Sequence, residues 1–466
     1  MLVIFVHGWS VTNTETYGEL PAYLKQLAGF ETASIYLGKY VSFEDTVTVT
    51  DLARAFEYAL RNDTDVAAKL KDGERVACIT HSTGGPVIRQ WIYDFYGKDL
   101  KKCPLSHLVM LAPANHGSAL AQLGKQRLGR LKAFMDHIEP GQRVLDWLEL
   151  GSTESWDLNT AWMQLDCVGS GLYPFVLTGQ SIDRNLYDVL NSYTDEQGSD
   201  GVVRVAGANL NYTLLRLRQE GKMLKQVGKA EQSARCVLAV LPRLSHSGKK
   251  MGIIRSVTLN NAETHPTVQW VLRCLGVTTA TGYRQVMNEA DTLTAQTLKD
   301  EKKETAKIGL FSRTFDRPQC TMMVVRLSDD ANHFLTDYEL RITAGPNYDP
   351  QSLPKGFFID RQRNSRNAGK LTYYLNYDVF DDPKSSKVTR DLYGFDVTAY
   401  PERGLAHYQT ARFQSQKDIV GKILRPNETL MVDIQVQRLV DQQVFRLTTQ
   451  MPPDKISDVP SGQYVD

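Results

Sequence analysis

The chain has 466 residues, long enough for two or three domains, and 42% of them are hydrophobic, enough to fill a core in each. Its 54 Lys and Arg against 53 Asp and Glu leave a net charge of +1, which argues against nucleic acid or a strongly anionic surface as the main partner. The six cysteines, Cys78, Cys103, Cys167, Cys236, Cys274 and Cys320, lack C-x-x-C or metal-ligand spacing, so neither a disulfide framework nor a zinc site is expected.

The chain opens on an apolar run, Met1–Val6, without the basic n-region and small-residue cleavage site of a secretory signal. That run leads into His7-Gly8 and reads as a buried strand. No stretch approaches the ~20 apolar residues that cross a bilayer. The expectation is a cytoplasmic protein, or one exported without an N-terminal signal.

Further strands are predicted at Ser34–Leu37, Arg75–Thr80, His107–Ala112, Tyr173–Thr178, Gly201–Val205 and Val237–Leu241, with helices at Thr14–Ala28, Thr50–Asn62, Gly85–Tyr96 and Thr267–Leu275. This alternation is how a doubly wound, mostly parallel α/β sheet reads, and it spans residues 1–280. Two segments break it and are expected to be cap insertions, about 118–167 and 211–235. The first carries Trp147, Trp156, Trp162, Leu148, Leu150 and Met163, either the buried face of a cap or a lid lining an apolar site. The second carries Arg216, Arg218, Lys222, Lys225, Lys229 and Arg235, read as a solvated helix face or a contact for anionic headgroups.

Residues 281–306 are highly charged and read as a linker helix. From 307 to about 450 the pattern changes to period-two runs, among them Thr321–Leu327, Tyr338–Ile342, Leu371–Tyr377, Phe395–Tyr400, Met431–Val436 and Val444–Thr448. Short strands without interleaved helices predict an antiparallel β-sandwich. Residues 451–466 read as a tail.

The segment that carries chemistry is Arg75–Ile88, an apolar strand followed by Thr80-His81-Ser82-Thr83-Gly84-Gly85 and a helix start. A nucleophilic serine at a sharp strand-to-helix turn needs small neighbours two residues away on either side. Gly84 meets that need, whereas Thr80 stands where glycine is usual. Upstream, His7-Gly8-Trp9 follows the first strand, which would place the Trp9 N–H beside Ser82. With the Thr83 N–H it would form a hole for the oxyanion of a tetrahedral intermediate.

Serine needs a base to take its proton and an acid to orient that base. In the order nucleophile, acid, base, Asp200 is favoured within Gly198–Val203, with Asp183 the alternative. His246, in the loop after Val237–Leu241, is favoured as base, with His265 the alternative. His81 lies beside the serine and is expected to shape the site, as are His7, Gly8 and Gly84. No cofactor or metal is called for, since no compact His/Asp/Glu cluster has ligand spacing.

With these residues in view, the first 280 resemble the α/β-hydrolase lipases, especially the lecithin:cholesterol acyltransferase-like and PGAP-type groups. His7-Gly8 looks like their oxyanion motif, Thr80–Gly85 like their nucleophile elbow, Gly198–Val203 like their acid turn, and Ala112–Ser118 like the loop they carry after the next strand. Some bacterial members without a signal are similar to phospholipase effectors delivered by type VI secretion. The resemblance implies a serine hydrolase cleaving acyl esters of lipids, with a lipid or ester substrate and contact with a membrane surface. A soluble-ester carboxylesterase or an acyltransferase is the near alternative, and a non-catalytic hydrolase-fold adaptor the distant one. The C-terminal β-domain is the expected place for a protein partner.

Overall fold

A computed structural model describes residues 1–7, 17–36, 46–71, 73–122, 141–182, 197–308, 311–381, 392–401, 406–415 and 419–440. Gly8, Trp9, Asp183, Val444–Thr448 and the tail lie outside them. The first sheet is formed by β1 (Leu2–His7), β2 (Glu31–Tyr36), β3 (Val76–His81), β4 (Leu105–Leu111) and β5 (Tyr173–Thr178). Three strands of a second sheet follow, β6 (Tyr212–Glu220), β7 (Met223–Gln226) and β8 (Glu231–Gln232), before β9 (Val237–Val240) completes the first. Its order is β2-β1-β3-β4-β5-β9, and every pairing is parallel.

Both faces of this sheet are covered, as a parallel sheet requires. Along β1, Leu2, Ile4 and Val6 enter one core, while Val3 and Phe5 enter another on the opposite face. The helices Val49–Asn62 and Gly84–Tyr96 cover the first face. Pro266–Leu275 and Ala280–Asp300 cover the second. Val49–Asn62 starts on a capping box, Thr48 and Asp51 each satisfying the other's backbone N–H.

The remaining strands are β10 (Lys303–Ile308), β11 (Phe311–Asp316), β12 (Cys320–Asp329), β13 (Tyr338–Ala344), β14 (Phe358–Arg363), β15 (Lys370–Asn376), β16 (Tyr393–Ala399), β17 (Ala406–Tyr408), β18 (Ala411–Gln414), β19 (Thr429–Val436) and β20 (Arg438–Val440). The second sheet runs β13-β16-β18-β7-β6-β19-β12-β15-β14, with β8 paired to β6. It is mixed where an antiparallel sandwich was expected, because β19 lies parallel to both β12 and β6, and β18 parallel to β7.

Three expectations are corrected by these elements. Residues 211–235 are not a cap helix: β6 alternates, with Leu215 and Leu217 buried while Arg218 and Glu220 face solvent, which is the period of a strand. Gly201–Val205 is no strand but the turn that carries Asp200, followed by the short helix Val205–Ala208. The charged helix ends at Asp300 and the next strand begins at Lys303, earlier than the expected boundary.

The second sheet packs directly on the hydrolase half. Alternate residues of β12 face opposite ways: Met322 and Val324 join the core that holds Leu2 and Ile4, with Tyr374 of β15 and Met431 of β19, while Met323 and Val325 enter a separate core. Of segment 118–167, the described helices Gln142–Leu148 and Thr153–Trp162 lie between the two halves. Trp147, Trp156 and Trp162 are buried. Arg326 and Lys370 of the second sheet stack over Trp156, and Arg89 stacks over Trp162. No described helix is long and apolar enough to cross a membrane. All six cysteines are free and buried.

Candidate active site

β3 ends at His81, and the helix Gly84–Tyr96 starts three residues later, so the chain must reverse within Ser82 and Thr83. Ser82 does this with φ of +52°, a left-handed conformation that costs an L-residue roughly 1–2 kcal/mol. Hydrogen bonds hold it there. Its N–H donates to Leu111 O at 3.0 Å, and its carbonyl accepts from Gly85 N at 3.2 Å and Ala114 N at 3.4 Å.

The glycines after the serine are demanded by space. A Cβ on Gly84 would lie 3.2 Å from Thr80 Cβ, and one on Gly85 would lie 2.7 Å from Pro113 Cβ. Thr80, where glycine is usual, is fully buried and fits because Gly84 opposite it has no side chain.

Ser82, His246 and Asp200 stand in one hydrogen-bonded line. Asp200 is completely buried, and its Oδ1 accepts from the N–H groups of Val202 at 2.9 Å and Val203 at 2.8 Å. Its Oδ2 lies 2.9 Å from His246 Nδ1. A carboxylate so placed accepts, which assigns the ring proton to Nδ1 and leaves Nε2 to accept from Ser82 Oγ at 3.1 Å. The His246 N–H also donates to the Asp200 carbonyl at 2.9 Å, so the loop after β9 and the acid turn are joined by main chain as well as side chain. Gly198 and Gly201, with φ of +65° and +98°, give that turn its shape.

His265, the alternative base, is elsewhere engaged: it caps the helix Pro266–Leu275 by accepting from Thr267 N at 3.2 Å, and its Nε2 pairs with Ser256 Oγ at 2.8 Å. Asp183, the alternative acid, is among the residues not described, as are Gly8 and Trp9 of the oxyanion loop. The backbone of His7 ends β1 beside β3, where Val6 pairs with Thr80. Thr83 sits at the start of the helix after Ser82, where backbone N–H groups have no partner within the helix.

His81 packs its ring 4.7 Å from that of His246 and donates from Nε2 to the His246 carbonyl at 3.3 Å. Burial, and then the neighbouring His246, hold the His81 ring well below the usual histidine range. It therefore stays neutral and adds no charge beside His246.

An apolar cleft opens beside the serine, lined by Ala114, Leu120, Leu145, Leu148, Val202 and Val203. The cap thus contributes leucines here, while its tryptophans face the packed interior. Sequence reasoning missed Val202 and Val203 as lining residues because they read as a strand. Among the described residues no group of His, Cys, Asp and Glu is placed to hold a metal ion.

No protein-family model matches the chain, and no curated protein matches it. Solved structures do, among them phospholipase PlaB from Legionella pneumophila, at 52% identity and a TM-score of 0.89, and the same protein in complex with thio-NAD, at 51% and 0.88. In both cases all of this chain and all of the other are covered.

Proposed function

The chain belongs to the PlaB family of phospholipases, and we propose that it hydrolyses the acyl esters of phospholipids through Ser82, His246 and Asp200. The observation that carries the reading is the unbroken line from Ser82 Oγ to His246 Nε2 and from His246 Nδ1 to Asp200 Oδ2, at the mouth of an apolar cleft.

The acyl chain lies along Leu120, Leu145, Leu148, Val202 and Val203, which brings its carbonyl carbon to Ser82 Oγ. His246 Nε2 takes the hydroxyl proton as Oγ attacks, and Asp200 holds the ring so that Nε2 faces the serine. The negative oxygen of the tetrahedral intermediate is met by the N–H groups of Thr83 and Trp9. His246 then gives the proton to the departing alcohol, a lysophospholipid or headgroup-bearing glycerol. Water, deprotonated by the same nitrogen, attacks the acyl-enzyme and releases the fatty acid.

The test compares wild type with Ser82→Ala on phospholipid vesicles and on a short-chain soluble ester, with folding checked by circular dichroism. Fatty acid released from vesicles by wild type alone is the expected result. Cleavage of the soluble ester without the vesicles would remove the lipid from the reading, and activity retained by Ser82→Ala would remove the serine.

A further inference from the structure

The acid turn is gripped from outside by the second sheet. Tyr374, on β15, donates its hydroxyl to the carbonyl of Gln197 at 2.8 Å and lies 3.2 Å from that of Gly198. Gly198 has no side chain for a direct reason: a Cβ there would sit 2.6 Å from the Tyr374 oxygen. Asp200 follows two residues later. At the far end of the turn Ser199 bridges to Arg204, a buried arginine whose guanidinium lies 4.1 Å over the Tyr374 ring and donates to Asp360 Oδ2 on β14 at 2.5 Å. Beyond it, Thr429 Oγ1 of β19 donates to the Ala206 carbonyl at 2.9 Å.

Three strands of the second sheet therefore fix both ends of a turn whose middle residue must present Oδ2 to a ring nitrogen. We infer that Tyr374, with the Arg204–Asp360 pair stacked on it, is a positioning residue for Asp200, so that the second sheet supports the triad. The inference rests on the triad reading above. A carboxylate held only by its own turn would sample neighbouring positions, and misplacement of a reacting group by about 1 Å can cost on the order of 10²-fold. Tyr374 touches neither substrate nor reacting atoms, so its effect falls on turnover and not on binding.

Tyr374→Phe keeps the ring beneath Arg204 and deletes only the donor to Gln197 and Gly198. On the soluble ester we expect kcat to fall about tenfold with KM unchanged, on the scale of a partial loosening of the site. The low-field proton resonance of His246 Nδ1 should broaden. Asp360→Asn, at a partly exposed site, loosens Arg204 and should lower kcat in the same sense, and it decides the matter if Tyr374→Phe does not fold. Wild-type kcat in the folded variants, with only a lowered unfolding temperature, would reduce the contact to packing and overturn the inference. If Asp200→Asn also keeps full activity, the triad reading itself falls. If Asp200→Asn is inactive while Tyr374→Phe and Asp360→Asn are fully active, the inference alone falls.

Discussion

Gly85→Ala tests how tightly the elbow is built. Its new methyl would lie 2.7 Å from Pro113 Cβ and 3.4 Å from Met110 Sδ, whereas carbon atoms pack at about 3.5–4.0 Å. The gap must open by roughly 1 Å. Neither side yields easily, since Pro113 Cβ is a ring atom and the Gly85 N–H is tied to the Ser82 carbonyl. Overpacking of this kind costs about 1–3 kcal/mol, offset by up to about 1 kcal/mol for the better helix propensity of alanine. A contact as short as 2.7 Å puts the cost in the upper part of that range, about 2–3 kcal/mol, so a net loss of at least about 1–2 kcal/mol is expected. Part of the strain moves Ser82, whose Oγ stands 3.1 Å from His246 Nε2, and a shift of a few tenths of an ångström should cost about tenfold in kcat. Urea unfolding and initial rates on a soluble ester measure the two effects. Pro113→Gly, which removes the opposing atom, should recover part of both in a double-mutant cycle. An unperturbed midpoint and rate in Gly85→Ala, or zero coupling with Pro113→Gly, would refute the packing argument.

Lys370 is completely buried on β15, donates to the Ser152 carbonyl at 3.2 Å, and burial lowers its pKa to about 7. An unfolded lysine titrates near ~10.4, so between about pH 7 and 10 the unfolded chain binds the extra proton and stability rises with pH, by at most about 1.4 kcal/mol per unit. Lys370→Met should flatten that rise in thermal unfolding from pH 7 to 10, and an unchanged slope would refute it. His265→Ala should lose about 1 kcal/mol of stability through its helix cap and keep its turnover, whereas His246→Ala should lose turnover by at least about 10⁴-fold. Equal loss of turnover in both variants, measured well below their unfolding temperatures, would reassign the base.

The parallel sheet was legible because buried strands such as Tyr173–Thr178 read as unbroken apolar runs between turns. The elbow was legible for the same kind of reason: an apolar strand, a serine, then glycines. Asp200 and His246 could be singled out because each sits in a glycine-flanked loop beside an apolar run. The second sheet was half legible. Its strands show period two, but its parallel pairings join β6 to β19 and β7 to β18 across roughly two hundred residues, and nothing local encodes such partners. Arg216, Arg218 and the lysines drew attention to charge and hid the alternation of Leu215 and Leu217 beneath them. Tyr374 gave no signal, since its task lies in what it touches far along the chain.

The strand order has a consequence for synthesis. Leu214 of β6 pairs with Met431 of β19, so a segment made before the hydrolase sheet is complete must wait for nearly the last described strand. Until that strand is made, β15 and β14, which carry Tyr374 and Asp360, have no link through the sheet to β6, because β19 stands between β6 and β12. A chain cut before Thr429 would keep Ser82, Asp200 and His246 and lose the strand that joins β6 to β12.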